Sequence, residues 1–341
     1  MRAVAVISLA FLAACDIPTE LPKWNPTFAV PLEGTSIPVA QLVPISIEST
    51  PGGSTFIISP PSASFPFPLA TVCAACVALH GQTAPTPAIQ YGAGYAIPFP
   101  VNVDSASVVN GVINFRLTNG WGFDPLRPAA GQTGLIRVDL LGRDGTSRGS
   151  ALFSGRDRAF PPGSTMDGSL TFAGAITSTP ILHITFASPA GDAARIDAAA
   201  AVTATILSGR LVATDATVGV VSRQVTSNAM SLNLTGVDEF VIQRVRGGKI
   251  LLAIRNGFAV SGRMTLNITG GINPVRKTFD IPDADATVEV ELTEADLESV
   301  LGRSVVASIQ GIVSTSGSVT LTPTTTFTIE PLLVLELGPD S

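Results

Sequence analysis

The stretch Gly111-Val-Ile-Asn-Phe-Arg-Leu-Thr-Asn-Gly-Trp121 aligns without a gap on Gly248-Lys-Ile-Leu-Leu-Ala-Ile-Arg-Asn-Gly-Phe258. Each copy has a Gly, a run with apolar residues at alternate positions, then Asn-Gly and an aromatic ring. Alternation with a period of two marks a β-strand with one buried face. An internal repeat constrains topology, because a unit recurring in the sequence is expected to recur as structure. Asn-Gly supports the positive φ angles of a tight turn, so each copy is expected to end in a hairpin or sharp bend. A fainter echo begins at Gly209-Arg-Leu. Strand-plus-turn grammar also produces such matches by chance. If the repeat is structural, related β units occupy 102–190 and 191–341.

The surrounding pattern agrees. From Val101 onward, short alternating runs end in Gly, Asn or Asp, as in sandwiches and barrels: Val112 to Leu117, Leu135 to Leu140, Ile181 to Phe186, Phe240 to Val245, Ile250 to Ile254, Met264 to Ile268 and Val288 to Leu292. In the last run Val288, Val290 and Leu292 face one way and Glu289 and Glu291 the other, which leaves one sheet face wet. One short helix is expected after Thr293. Thr293 can cap the amide of Asp296, Glu294 and Asp296 lie in the positive first turn, and Gly302 can end the helix. These elements predict an all-β protein, most simply two antiparallel β-sandwich units.

Fifteen of the 26 prolines precede residue 102. Proline lacks a ladder donor, so this region cannot supply central strands. Asp16 to about Pro31 is read as an extended tether. The rest of residues 15–101 is read as a loop-rich cap, with short strands near Ile45 to Glu48 and Thr55 to Ile58.

The N-terminus carries Arg2, an apolar run from Ala3 to Ala14, and Cys15. A dozen apolar residues are too few to span a ~30 Å hydrocarbon core, but they suit a secretory signal. Leu12-Ala13-Ala14-Cys15 resembles the lipobox of bacterial lipoproteins. That resemblance implies cleavage after Ala14, removal of residues 1–14 and acylation of Cys15, hence a membrane partner through its acyl chains. Two or more chains anchor stably where one does not. Asp16 resembles an inner-membrane retention signal of enteric bacteria, a rule other bacteria do not follow, so the membrane stays open. Pro18 to Trp24 resembles the mature N-terminus of uncharacterised envelope lipoproteins. The strand followed by Asn and a bulky residue resembles the immunoglobulin-like domain of late-embryogenesis and water-stress proteins, although Gly120 and Gly257 stand where that family has Pro. No activity follows from either resemblance.

The net charge is −6 and loses a further positive charge with Arg2. That sign is wrong for nucleic acid, whose binders need clustered cations. With Cys15 lipidated, Cys73 and Cys76 form an even pair, and outside the cytoplasm a disulfide is the expected state. A thioredoxin-like role needs a βαβ context. Haem attachment needs a His where Val77 stands. Zinc would have to recruit His80 and His183. Gly145-Thr-Ser147-Arg-Gly149 matches a hydrolase elbow, but Asp144-Gly145 reads as a hairpin turn with no helix to follow. Asp280, Asp283 and Asp285 form a weak calcium candidate on a loop broken by Pro282. Trp121 and Phe123 are either core rings or an exposed binding patch. No cofactor is expected.

No motif joins nucleophile, base and orienting group. The expected function is therefore a non-enzymatic envelope lipoprotein that structures or binds an envelope protein or polymer. Two alternatives are a carrier of an apolar ligand and a hydrolase with a dispersed site.

Overall fold

The computed structural model describes residues 27–338, apart from 45, 51, 52 and 178. The signal, Cys15 and Asp16 lie outside the described residues. The proline-rich third contributes β1 Thr27–Pro31, β2 Thr35–Ile37, β3 Ile47–Ser49, β4 Phe56–Ile58, β5 Ala63–Pro68, β6 Thr83–Pro85 and β7 Ile89–Ala96. Next come β8 Val103–Asn119, β9 Leu135–Leu141, β10 Ser147–Ser154, β11 Thr165–Thr177, β12 Ile181–Ser188, β13 Ala193–Arg195 and β14 Ala201–Gly219. The last group is β15 Arg223–Thr226, β16 Met230–Asn233, β17 Val245–Asn256, β18 Ser261–Thr269, β19 Val275–Ile281, β20 Ala286–Thr293, β21 Ser304–Ser314, β22 Ser318–Leu321 and β23 Phe327–Leu337. Among the described residues four short α-helices, α1 Leu69–Val72, α2 Ala74–Ala78, α3 Glu239–Arg244 and α4 Glu294–Val300, interrupt them.

The chain is all-β, and its strands form two sandwiches with matching strand order. In the first, β8 lies between β11 and β14, opposite a sheet ordered β10-β9-β12-β7. In the second, β17 lies between β20 and β23, opposite β19-β18-β21, with β15 and β16 both paired to β21. The two repeat segments are therefore the C-terminal parts of equivalent central strands, β8 and β17. The expected boundary at 190/191 is corrected by pairing. β14 lies beyond it, yet runs antiparallel to β8 from Val202↔Asn119 to Val218↔Val103. The echo at Gly209 sits inside β14 and begins no third unit.

The repeated Asn-Gly-aromatic endings do the same structural work twice, but not as the tight turns expected. Asn119 is fully buried, its Nδ2 donating to Phe123 O at 2.9 Å and Phe160 O at 2.6 Å while Oδ1 accepts from Trp121 N at 2.9 Å. Asn256 donates from Nδ2 to Val260 O at 2.6 Å and Pro282 O at 2.7 Å, and accepts from Val260 N at 3.2 Å. Each side chain thus ties the departing chain, which crosses to the opposite sheet, to a second loop. Neither Asn nor Gly has positive φ. The glycines are required by proximity: a β-carbon would lie 2.4 Å from Ala201 O at Gly120 and 2.7 Å from Thr326 O at Gly257. Trp121 and Phe258 then enter the core fully buried.

The prolines fall where ladder donors are dispensable. The proline-bearing β1 and β5 pair only with β23 and β14, and the proline-free β2 and β7 only with β23 and β12, all as edge strands. The proline-free β4 is the one placed between two neighbours, β14 and β3. Residues 15–101 are consequently more than a tether and cap: the described part adds strands to both sandwiches, and residues 27–31 of the expected tether are β1. Beyond β2, the Gln41 side chain joins the Thr226 backbone through bonds of 2.9 and 2.7 Å.

Phe240 to Val245, expected as a strand, starts with α3. Asp238 Oδ1 accepts from Phe240 N at 2.8 Å, Glu239 lies in the first turn and Arg244 in the last. Those capping and dipole signals outweigh β propensity. α4 forms as expected, with the Thr293–Asp296 capping box present and Gly302 beyond its end at φ 69°. No helix among the described residues is long and apolar enough to cross a membrane.

Candidate functional site

Trp121 and Phe123 are core residues, not a binding patch. Trp121 is 0% and Phe123 6% exposed. Their rings stack at 5.6 Å, Trp121 lies 5.2 Å from the Phe186 ring, and its Nε1 donates to Phe67 O at 3.2 Å. Aromatic contacts between elements of the facing sheets, Phe67–Phe186 and Phe115–Phe153, fill the space in which an apolar ligand would have to sit.

Cys73 and Cys76 stand at disulfide distance, 1.97 Å between sulfurs, and both are buried. The bridge joins the end of α1 to α2, and the motif lacks the βαβ setting of a thioredoxin. With both sulfurs bonded to each other, no thiolate is left for zinc. His80 instead caps a nearby loop, its Nδ1 accepting from Ala198 N at 3.1 Å, with Asp197 Oδ1 at 3.6 Å.

The three aspartates of the calcium candidate do not converge. Asp280 pairs with Arg263 across β18 and β19 at 3.1 Å, and Asp285 accepts from Asn256 N at 2.7 Å, fixing the loop after β19 onto the repeat motif. Among the described residues no group of three metal-binding side chains occurs.

The Gly145–Gly149 segment is the β9–β10 hairpin. Asp144 Oδ1 accepts from the Thr146 hydroxyl at 2.7 Å and amide at 3.1 Å; these bonds, with the Arg148 charge, hold the carboxyl below the usual range. Ser147 opens β10 instead of an elbow helix, as the turn chemistry implied.

Pairing does, however, bring together a polar cluster on the outer face of sheet β10-β9-β12-β7. Asp139 is 6% exposed and accepts from Arg137 Nε, 3.0 Å to Oδ1 and 2.8 Å to Oδ2, and from Ser147 Oγ at 3.2 Å. His183 lies directly opposite Asp139 on β12, and a β-carbon on Gly92 of β7 would stand 3.2 Å from its Cε1. The cluster lacks a proton relay: the Ser147 hydroxyl donates to the carboxylate, Arg137 pairs with that carboxylate, and no hydrogen bond joins His183 to either. What it offers is a hydrogen-bonding face. The sequence hint was the polar Asp139 inside an apolar strand; its assembly with Ser147 and His183 depends on register.

The cleft beside β2 encloses about 430 Å³ and is lined by Glu33, Thr35, Asn228 and Glu330, with Thr35 Oγ1 donating to Asn228 O at 3.0 Å.

No protein-family model and no curated protein matches the chain. Among solved structures, a candidate secreted protein from Parabacteroides distasonis ATCC 8503 aligns over 92% of this chain and 100% of its own at 10% identity and a TM-score of 0.35. A structure of infectious bursal disease virus, Gx strain, aligns over 83% of this chain and 42% of its own at 13% identity and a TM-score of 0.16. Likeness at this level assigns the chain neither a family nor a function.

Proposed function

We propose that the chain is a lipid-anchored protein of the bacterial cell envelope whose two sandwiches act without catalysis, by binding or scaffolding an envelope protein or polymer. The observation that carries the anchor is Leu12-Ala13-Ala14-Cys15 at the end of a short apolar run. The fold is compatible in one specific way: β1 starts at Thr27 and pairs with Glu336 at the end of the second sandwich. At full extension the chain between Cys15 and Thr27 spans at most roughly 40 Å, so the anchor would keep that sandwich near the bilayer. The filled inter-sheet space of the first sandwich speaks against a carrier. His183, joined by no hydrogen bond to Asp139 or Ser147, speaks against a hydrolase.

Growth of the producing bacterium with labelled palmitate tests the anchor. The wild-type chain is expected to take up label and stay with membranes, and Cys15→Ser to lose both. An unlabelled wild-type chain, or a Cys15→Ser chain that remains on membranes, overturns the reading. Crosslinking of the anchored protein in intact envelopes then reads out its partners.

A further inference from the structure

The edge strand β7, Ile89-Gln-Tyr-Gly-Ala-Gly-Tyr-Ala96, lacks the proline, charge, bulge or brevity found at the other edges. Proteins guard open edges with proline, charge, bulges or brevity. Here β1 ends in Pro31, β5 carries Pro66 and Pro68, β19 carries Arg276, Lys277 and Asp280, and β20 carries Glu289 and Glu291. β10 and β11 are broken by bulges, and β2, β3, β15, β16 and β22 have three or four residues each. β7 has eight residues with no charge, proline or bulge.

The direction of its free hydrogen-bonding groups follows from register. Ile97 N donates to Pro180 O, which makes the odd-numbered residues of β7 the ones bonded to β12. The amides and carbonyls of Gln90, Gly92, Gly94 and Ala96 therefore point to the open edge. All four residues are exposed, and among the described residues no backbone group bonds to them from that side. With two glycines and an alanine, little side-chain bulk stands over that edge.

We infer that β7 pairs antiparallel with β7 of a second copy of this chain. Tyr91-Gly92-Ala93-Gly94-Tyr95 reads the same in both directions. A two-fold axis through Ala93 sets Gly92 opposite the partner copy's Gly94 and Gln90 opposite its Ala96. These are the residues whose donors and acceptors are free, so each pair exchanges both bonds. The same axis sets Tyr91 opposite the second copy's Tyr95 on the inner face, which keeps inner residues with inner and outer with outer. Such an interface is isologous and closes at two copies. It joins the two four-stranded sheets into one continuous sheet, and β7 itself carries no charge to repel its counterpart in the second copy. The inference does not depend on the lipid anchor.

The test uses the full mature chain with Cys15→Ser, measured by light scattering and native mass spectrometry up to roughly 100 μM, above the micromolar dissociation constants of weak interfaces. The expected mass is that of two chains. Gln90→Pro with Ala96→Pro removes amides that face the open edge and no bond to β12, so it is expected to halve the mass with an unchanged circular dichroism spectrum. Ala93→Cys places a thiol on the axis at a non-hydrogen-bonded position, where opposed Cα atoms lie about 4.5 Å apart, within disulfide range. It is expected to form a covalent dimer on oxidation, both in solution and in membranes of cells making the anchored chain. A wild-type mass of one chain overturns the inference, and so does a dimer that survives the proline pair. Should the proline pair not fold, failure of Ala93→Cys to crosslink overturns it instead.

Discussion

Replacing Asn119 with alanine removes three hydrogen bonds from a fully buried site: those to Phe123 O, Phe160 O and from Trp121 N. None of these backbone groups has another backbone partner outside the strand ladders. A buried polar group left unpaired costs about 1–3 kcal/mol. Water reaching one of the three reduces the total, so a loss of about 4 kcal/mol is expected. At about 2–4 °C per kcal/mol for a unit of this size, the melting temperature falls by roughly 8–16 °C. Asn256→Ala should cost about the same, because its side chain repeats the contacts with Val260 and Pro282. Asn114→Ala is the control: that residue lies on the same strand but is exposed and makes one bond, to Ser208 Oγ. Calorimetry of the three variants checks the reasoning. Losses below about 1 kcal/mol at both buried sites, or an equal loss at Asn114, would refute the view that these asparagines hold the strand-to-loop crossings.

Gly120→Ala and Gly257→Ala each force a β-carbon against a backbone carbonyl, at 2.4 and 2.7 Å, and are expected to cost about 3 kcal/mol each, read as lowered urea midpoints. Joint replacement of Cys73 and Cys76 by serine opens a short loop and should cost about 2 kcal/mol, while the denatured wild-type chain should weigh two hydrogens less than its reduced form. Burial pushes the Asp296 carboxyl up, but hydrogen bonds from Lys277 and from the Thr293 hydroxyl and amide, with the Lys277 charge, hold it below the usual range. A lowered folded pKa contributes stability above the unfolded value near ~4 and loses it as pH falls through the folded one. Acid titration below about pH 4 should therefore loosen α4 in the wild type, and Asp296→Asn should flatten that dependence in amide exchange.

The legible parts were those in which neighbours in sequence act on one another. Alternation marked β8, β9, β12, β17, β18 and β20 because a strand with one wet face must alternate. Thr293 and Asp296 marked α4 because a capping box spans three residues. Asp144-Gly145 marked the β9–β10 turn for the same local reason. The α3 signals, Asp238 followed by Glu239 and closed by Arg244, were equally local, but the apolar run Phe240 to Val245 matched a strand template more simply.

By itself, the sequence determined the class of fold and the twofold use of Gly-strand-Asn-Gly-aromatic. Backbone chemistry and periodicity impose these whatever the partners are. Only the tertiary structure decided that β14 belongs with β8, that Gly120 and Gly257 answer to a passing carbonyl rather than a turn, and that Trp121 and Phe123 are inside. It alone set Asp139, Ser147 and His183 on one face and left β7 open. Those outcomes depend on register and on which distant strand arrives alongside, and pairings between residues far apart in the chain leave no periodic trace in either partner.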